Sequence, residues 1–188
     1  MKCIETNLPG VVIVEPAVFH DERGFFLESY HRDKFQELGI KSTFVQDNHS
    51  RSRRGVLRGL HFQLKSPQAK LCRVARGKVL DVAVDIRTGS PTFGQWASAI
   101  LSDENHHMLF VPRGFAHGFY VLSDQVDFLY KCDNFYDPQD QCGVLWNDPQ
   151  MGIDWGIPDG ERPIVNARDN AYLALGEMDI SKLPRFES

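Results

Sequence analysis

Short apolar runs separated by turn residues dominate this chain, and they limit the fold classes open to it more than any other feature. Each run is rich in β-branched or aromatic side chains, and turn signals such as Arg76-Gly77 and Pro112-Arg113-Gly114 lie between several of them. The predicted strands are Val11–Glu15, Thr43–Gln46, Val56–Gln63, Leu71–Ala75, Val79–Ile86, Trp96–Leu101, Met108–Val111, Phe119–Leu122 and Val126–Cys132. Many short strands at such spacing predict an all-β sandwich or barrel of the jelly-roll type.

The strand predicted at Val79–Ile86 shows the clearest alternation. Its even positions carry only leucine, valine and isoleucine, whereas its odd positions include Asp81, Ala83 and Asp85. Because successive side chains of a strand point to opposite faces, this strand is expected to have one apolar face and one more polar face.

Helical periodicity is weak, and the sequence favours one domain, 1–188. A helix is predicted at His31–Leu38, where Gly39 offers a stop, and a second short helix is predicted at Ala171–Leu175. The length suits one jelly-roll core, predicted at about 10–148, followed by an irregular C-terminal arm at about 149–188.

Cysteine usage and hydropathy predict a soluble, cytoplasmic protein without a membrane partner. The sequence has no run of about 18 apolar residues, and its N-terminus lacks an apolar leader. The cysteines lie far apart without C-x-x-C spacing, so reduced structural thiols are expected rather than a zinc site or a redox pair. They are Cys3, Cys72, Cys132 and Cys142.

Charge is distributed unevenly along the chain. The basic segment, residues 48–80, contains nine basic residues and no acidic one, whereas the rest of the chain carries 12 basic and 25 acidic residues. The formal net charge of −4 conceals this separation. A run of basic residues is usually a solvated face, but it can also form a pocket for a phosphorylated or otherwise anionic ligand, and charge alone leaves both interpretations open.

The basic segment contains the run Arg58-Gly59-Leu60-His61-Phe62-Gln63 on a predicted strand. Strict alternation would place Arg58 and His61 on opposite faces of this strand. Gly59 permits a bulge or sharp twist that would let both side chains serve one site. Taken alone, His61 is either a hydrogen-bonded core histidine or a base that titrates near neutral pH.

A metal site is the alternative use of the histidines. Two ligands on one strand face require a spacing of two residues, but Gln63 follows His61 at that spacing. The adjacent His106 and His107 would point to opposite faces of an extended chain, and His117 stands alone. The sequence therefore favours a site without a metal ion.

The strand Val126–Cys132 places Tyr130 on its apolar face. Such a tyrosine is usually a core residue, but in a barrel with a ligand cavity its hydroxyl could reach the ligand. An unperturbed phenol has a pKa of about 10 and can donate a proton at neutral pH. A base and an acid that face each other across a pocket would suit inversion of a carbon centre, because one removes a proton and the other returns it to the opposite face.

Several segments resemble, in order, motifs of the dTDP-4-dehydrorhamnose 3,5-epimerase family, and the resemblance runs from about residue 2 to residue 170. These segments are Asp21–Glu28, Gln46–Ser50, Gly55–Gln63, Val79–Asp85, Ser90–Trp96, Pro112–Gly118 and Leu145–Asp148. The resemblance implies a metal-free, cupin-type jelly roll, usually a homodimer. It also implies cofactor-independent epimerisation of dTDP-4-dehydro-6-deoxy-D-glucose at carbons 3 and 5 in dTDP-L-rhamnose synthesis.

The same resemblance implies roles for individual residues. His61 looks like the general base, Tyr130 like the general acid, and Asp169 like the carboxylate that pairs with His61. The residues expected to bind the dTDP-sugar are Arg23, Phe26, Glu28, Gln46, Asp47, Asn48, Arg58, Lys70, His117, Tyr136, Gln141 and Arg168. Among these, Phe26 and Tyr136 are expected near the thymine, and Gln141 stands where the family commonly has Glu.

Two alternative functions remain open. An epimerase of one carbon only, acting on a related dTDP-4-keto-deoxysugar, would share these motifs. A non-catalytic barrel that binds sugar or nucleic acid through the basic segment is disfavoured, because Arg51–Arg58 contains no aromatic residue for base stacking. No nucleic-acid partner is therefore expected.

Overall fold

The structure is a computed structural model that describes residues 1–186. Its strands are β1 (Lys2–Glu5), β2 (Val12–Glu15), β3 (Val18–Asp21), β4 (Gly24–Leu27), β5 (Gln46–Arg53), β6 (Leu57–Gln63), β7 (Lys70–Arg76), β8 (Lys78–Asp85), β9 (Trp96–Ser102), β10 (Met108–Val111), β11 (Phe115–Val121), β12 (Gln125–Cys132) and β13 (Gln141–Gly143). Its helices are α1 (Arg32–Glu37) and three 3-10 helices at Asp169–Ala171, Leu175–Glu177 and Ile180–Lys182. The predicted all-β class is confirmed.

Two antiparallel sheets form the jelly roll. The first has six strands in the order β1-β2-β10-β7-β12-β5, and the second has five in the order β13-β6-β11-β8-β9. Val74 and Phe128 from the first sheet share a buried cluster with Ala83, Leu101 and Phe119 from the second. Burial of this apolar surface between the sheets is the main contribution to the stability of the barrel.

Both faces of β8 are buried. Val82 and Val84 on its apolar face pack with Trp155 and Leu175 of the C-terminal arm, which covers the outside of the five-stranded sheet. Asp81 on the opposite face is fully buried inside the barrel. The predicted alternation is thus confirmed, and the more polar face points to the interior rather than to solvent.

The strand predicted at Thr43–Gln46 is wrong, because pairing begins at Gln46 and continues to Arg53 as β5. Strand β5 alternates between half-buried and exposed positions without an apolar face. Its inward side chains are amides and hydroxyls, and its outward ones are mostly charged. A strand of this composition carries no hydrophobic period for sequence reasoning to detect.

Other elements differ from prediction at their ends. Strand β11 starts at Phe115 rather than Phe119, and the predicted helix at Ala171–Leu175 is replaced by two 3-10 helices on either side of an extended stretch. Strands β1, β3, β4 and β13 were not predicted. The helix predicted at His31–Leu38 is confirmed as α1, the strand predicted at Met108–Val111 is present with the same ends as β10, and the remaining predicted strands are present with ends shifted by a residue.

The C-terminal arm is irregular and packs along the five-stranded sheet. Isolated bridges join Val56 to Ile164 and Thr88 to Arg185. The last positions of the predicted arm, 187 and 188, lie outside the described residues. Within residues 1–186, no helix combines the length and the apolar character that a membrane span requires.

Candidate active site

A cavity of about 310 Å³ opens between the two sheets. Strands β5, β7 and β12 of the six-stranded sheet form one wall, and β6 and β11 of the five-stranded sheet form the other. The lining residues are Gln46, Asn48, Ser50, Arg58, His61, Gln68, Lys70, His117, Phe119, Phe128, Tyr130, Cys132, Tyr136, Gln141 and Arg168. Polar groups on an aromatic floor, in a space at the lower end of the usual range of about 300–1,000 Å³, are typical of a small-ligand site.

Arg58 and His61 both line the cavity, although they are three residues apart on β6. The ladder between β6 and β11 changes register here, and Gly59 has a φ of 131°. A Cβ atom at Gly59 would lie 2.6 Å from Cα of Gly118. Glycine at both positions lets the strands approach, and the irregularity predicted at Gly59 brings Arg58 to the same side as His61.

His61 is paired with a buried carboxylate. Its Nε2 lies 2.9 Å from Oδ1 of Asp169, and the backbone N–H of Gly59 donates to Oδ2 of Asp169 at 3.1 Å. Asp169 begins a 3-10 helix and is fully buried. Burial by itself would raise the pKa of Asp169, but the hydrogen bonds from His61 and Gly59 outweigh it and lower the pKa. Asp169 is therefore an anion that can orient the imidazole ring.

Burial lowers the pKa of His61 below its usual value, and the pairing with Asp169 only partly opposes this effect. The imidazole is consequently neutral at pH 7. Because Nε2 is directed at Asp169, the other ring nitrogen, Nδ1, is the atom available to accept a proton. This arrangement suits a general base.

Tyr130 lines the wall opposite His61, on β12. Burial is the main cause that raises the pKa of Tyr130 to about 12, while the positive charge of Arg58 acts in the opposite direction. The phenol therefore stays protonated at neutral pH and can donate its proton. Arg58 is close enough to stabilise the phenolate that donation would leave.

The basic segment divides between the cavity and the outer surface. Among its nine cations, Arg58 and Lys70 line the cavity as far as residues 1–186 describe it. Arg51 instead donates to Asp127 at 2.7 Å on the outer face of the sheet, and Arg54 pairs with Asp124 at 3.0 Å. Both interpretations of the segment are therefore partly correct, since strand alternation sends most of its charge outward.

The mouth of the cavity is a hydrogen-bonded rim. The side chain of Gln46 donates to Asn48 Oδ1 at 3.0 Å and accepts from the backbone N–H of Tyr136 at 2.9 Å. The hydroxyl of Tyr136 donates in turn to Oε1 of Gln141. Arg168 lines the same cavity. These residues bring polar groups from β5, β13 and the C-terminal arm to one opening.

Four residues predicted to bind the ligand do not line this cavity. Asp47 points to the outer face of β5, where Lys131 donates to it at 2.7 Å. Arg23, Phe26 and Glu28 belong to the β3–β4 hairpin and the residues after it, and Phe26 is 69% exposed. The structure thus does not place these four side chains with His61 of the same chain.

Sequence reasoning missed several lining residues and the surroundings of His117. Ser50, Gln68, Phe119, Phe128 and Cys132 line the cavity without having been predicted as site residues. The inward period of β5 and β12 could have indicated Ser50, Phe128 and Cys132, since each lies two residues from a predicted site residue.

His117 is not isolated, contrary to the sequence-based expectation. Its Nε2 lies 2.7 Å from Oδ1 of Asp81 and 3.5 Å from Sγ of Cys72. The ligand atoms of these three buried residues lie within 4.8 Å of one another, an arrangement with the donor types of a metal site. Three different strands contribute them, so no local spacing in the sequence could reveal the group.

The comparisons with known proteins agree with one another. The family model described as dTDP-4-dehydrorhamnose 3,5-epimerase matches residues 5–177. The chain is 55% identical over 179 residues to the dTDP-4-dehydrorhamnose 3,5-epimerase of Salmonella typhimurium LT2, with 94% of this chain and 97% of that protein covered. It is 49% identical over 180 residues to the enzyme of that name from Pseudomonas aeruginosa PAO1, with coverage of 95% and 98%.

The fold resembles the crystal structure of a dTDP-6-deoxy-D-glucose-3,5-epimerase from Legionella pneumophila Philadelphia 1, solved in complex with dTDP-4-keto-L-rhamnose. The TM-score is 0.95 and the sequence identity 49%, and the match covers 100% of this chain and 99% of that one.

Proposed function

The chain belongs to the dTDP-4-dehydrorhamnose 3,5-epimerase family, and from this premise we propose that His61, Asp169 and Tyr130 carry out its chemistry. It is an isomerase that epimerises dTDP-4-dehydro-6-deoxy-D-glucose at carbons 3 and 5 in dTDP-L-rhamnose synthesis. One observation carries the assignment of roles: a neutral histidine paired with a carboxylate and a protonated tyrosine line opposite walls of one cavity.

The 4-keto group acidifies the protons on carbons 3 and 5. Nδ1 of His61 removes one of them, and the electron pair of the C–H bond moves to the keto oxygen to give an enolate. Asp169 stabilises the imidazolium that forms. Tyr130 then donates its proton to the opposite face of the same carbon, which inverts it, and a return of the proton from His61 to the phenolate through solvent restores both groups.

Two cations are placed to offset the charge of the enolate. The charge of Lys70 is close enough to His61 to act on the pKa of the imidazole, and Arg58 acts likewise on Tyr130. Removal of one such donor from an enclosed site typically costs a factor of about 100–1,000 in rate. We propose Lys70 and Arg58 for this role, with Arg168 as a ligand of the diphosphate through charge-assisted hydrogen bonds.

The rim and floor of the cavity would hold the rest of the dTDP-sugar. Gln46, Asn48 and His117 line it as hydrogen-bonding groups, and the half-exposed ring of Tyr136 is available at the mouth for the thymine. Gln141, bonded to Tyr136, offers an amide at this place instead of a carboxylate. An uncharged group here avoids repulsion of the diphosphate.

We further propose a homodimer in which each subunit supplies its β3–β4 hairpin to the cavity of the other. Phe19, Phe25 and Phe26 are 58–69% exposed on this hairpin, an apolar surface that a partner would cover. Arg23 and Glu28 are then available to a second copy rather than to their own cavity. A two-fold axis makes such an exchange reciprocal and completes both sites.

The proposed reaction requires no cofactor, because the substrate's own keto group stabilises the carbanion. We also propose a cytoplasmic location. The free, half-buried thiols of Cys3 and Cys142 support it, since accessible cysteines persist in reduced form mainly in reducing compartments.

The function is tested by NMR of the reaction in deuterated water, with the keto-sugar nucleotide as substrate and a rhamnose-forming reductase to trap the product. Incorporation of deuterium at both carbons 3 and 5 is expected. Incorporation at one carbon would assign the protein to the single-carbon epimerases, and the absence of exchange would contradict an epimerase function altogether. The His61→Ala variant, purified in parallel, reports the background exchange.

A further inference from the structure

A second histidine–carboxylate pair lies beside the first. His117 on β11 and His61 on β6 are register partners across the sheet, and both line the cavity. Nε2 of His117 lies 2.7 Å from Oδ1 of Asp81. The side chains of His117 and Asp81 are 7% and 0% exposed, against 24% for His61, so this pair is the more deeply buried of the two.

The contact with Asp81 determines which atom of His117 faces the ligand. Nε2 is directed at the carboxylate, and Nδ1 forms no hydrogen bond with any residue from 1 to 186. Among residues 1–186, two side-chain polar atoms are fully buried without a hydrogen-bond partner, Asp81 Oδ2 and the Tyr172 hydroxyl oxygen. Nδ1 of His117 has no partner either, but it is not one of these fully buried atoms. Nδ1 is therefore open to the cavity, next to the proposed base.

Asp81 relies on His117 for its shortest polar contact. In the described part of the chain, no Lys or Arg lies within ion-pair distance of Asp81, and Oδ2 is buried without a partner. A carboxylate in this setting is costly to bury, so a purely structural role would be expected to come with a complete set of hydrogen bonds. Its one strong contact is the one that orients a cavity-lining ring.

Cys72 completes the group and raises the question of a metal ion. Burial raises the pKa of the Cys72 thiol well above its usual value, so the sulfur is protonated when no cation is bound. The separation of 2.7 Å between Nε2 and Oδ1 is that of a direct hydrogen bond. These observations favour a proton-linked pair over a metal centre.

We propose that Asp81 is a positioning residue for the epimerisation: it holds the proton of His117 on Nε2 and so presents Nδ1 to the sugar of the substrate. Because His117 is the cross-strand neighbour of His61, the contact falls at the reacting end of the ligand rather than at the nucleotide. Loss of this contact is therefore expected to lower kcat and to change KM little. This inference rests on the proposed function for its kinetic part only.

The tautomer of His117 gives a test that does not depend on turnover. In protein labelled with 15N-histidine, the signal of His117 is assigned by its disappearance in His117→Gln. The wild-type protein is expected to show a protonated Nε2, and Asp81→Asn should lose this preference because an amide can also donate to the ring. A wild-type His117 with its proton on Nδ1 alone would overturn the proposal without any variant.

The kinetic test is a double-mutant cycle. Asp81→Asn should lower kcat by about 10- to 100-fold, the range found when the hydrogen-bond partner of a metal-bound histidine is removed, with KM changed less than about threefold. In the His117→Gln background, Asp81→Asn should have little further effect, since the residue acts through the ring. An equal loss in both backgrounds would show that Asp81 does not act through His117 and would overturn the proposal.

Two controls separate the alternatives. Cys72→Ala removes the other neighbour of His117 Nε2. This variant should keep the proton of His117 on Nε2 and should change kcat by less than about twofold. Melting curves verify that each variant is folded. Stoichiometric zinc in the purified protein that is lost in Asp81→Asn would replace the positioning role by a metal site. If the wild-type protein turns over no keto-sugar nucleotide, the proposed function fails, whereas the tautomer experiment still decides the role of Asp81.

Discussion

At the scale of single residues, burial sets the protonation state of both proposed catalytic groups, His61 and Tyr130. It lowers the pKa of His61 and raises that of Tyr130 to about 12, because an apolar environment disfavours the charged form of each side chain. Phe119 and Phe128, whose ring centroids are 4.1 Å apart on the cavity floor, supply part of that environment. The same surroundings thus keep the base unprotonated and the acid protonated.

His61→Ala should strongly reduce both solvent exchange and product formation, because it removes the imidazole proposed to accept the substrate proton. We expect kcat to fall by about 10²–10⁴-fold, the usual contribution of a general base. The measurement is deuterium incorporation followed by NMR. Substantial residual exchange would remove His61 from this role.

Tyr130→Phe should block reprotonation while it leaves proton abstraction partly intact. The expected signature is exchange of substrate protons with little product, measured in the coupled reductase assay. Tyr120→Phe is the matched control, since Tyr120 is a buried tyrosine of the same barrel that packs in the cluster beneath the C-terminal arm, outside the cavity. Turnover by Tyr130→Phe equal to that of this control would contradict the assignment.

The pH dependence of kcat/KM should have an acidic limb set by His61. Since the pKa of His61 is lowered, the rate should be constant above its ordinary value of about 6.5 and decline only at lower pH. Asp169 acts to raise this pKa, so Asp169→Asn should move the limb to still lower pH while it reduces the maximum rate. A limb that moves to higher pH in this variant would refute the pairing as described. Tyr130 should cause no loss up to about pH 10, because its pKa is about 12.

At the scale of elements, sequence patterns predicted the strands that have an apolar face and failed for those that do not. Strand β8 was predicted because each of its faces has a consistent character. Strand β5 was missed because its inward face carries polar cavity residues and its outward face carries charges such as Arg51, paired with Asp127. The element that contributes most polar groups to the site is therefore the one that hydrophobic periodicity cannot reveal.

Sequence reasoning likewise predicted the part of the candidate site that lies on one local motif and missed the part that depends on strand register. Arg58 and His61 lie on one local motif with a glycine between them, so their convergence could be anticipated. The pairing of His117 with Asp81 depends on the register of β8 against β11, which no single segment encodes. Similarly, Asp169 reaches His61 only because the C-terminal arm returns to β6. Long-range pairing of this kind has to be read from the fold.

The close approach of β6 and β11 should make Gly118 intolerant of a side chain. A Cβ at this position would lie 2.7 Å from the carbonyl oxygen of Arg58 and 3.1 Å from Cα of Gly59. Gly118→Ala should therefore lower the free energy of unfolding by about 1–3 kcal/mol and reduce kcat, because the strands that carry Arg58 and His61 must separate. Thermal denaturation and the exchange assay measure the two effects.

Gly55→Ala is the control for this experiment. Gly55 has a φ of 78° and open space around its Cα, so alanine there meets backbone strain without a steric conflict. It should lower stability and leave the rate of exchange unchanged. Equal losses of kcat in Gly118→Ala and Gly55→Ala would mean that the strand separation does not matter for the site.

At the scale of the whole molecule, the proposed dimer predicts complementation between two inactive variants. Arg23→Ala damages the hairpin and His61→Ala damages the cavity, so a mixed dimer contains one cavity with both wild-type elements. The two variants are co-expressed with distinct tags. Under random pairing, about one quarter of all cavities should then be intact, and activity should return to about one quarter of that of the wild-type protein. Co-expression of His61→Ala with Tyr130→Phe is the control and should restore nothing, because each cavity then lacks a group. Failure of the first pair to regain activity would contradict the exchange of hairpins.

The location of His61 and Tyr130 on different sheets links catalysis to the filling of the barrel. The residues packed between the sheets, Ala83 among them, set how far apart the two layers lie. A bulkier side chain at such a position would force the layers apart before it unfolded the protein. The core thereby fixes the gap that a sugar ring must bridge between proton acceptor and proton donor, so its volume bears on turnover as well as on stability.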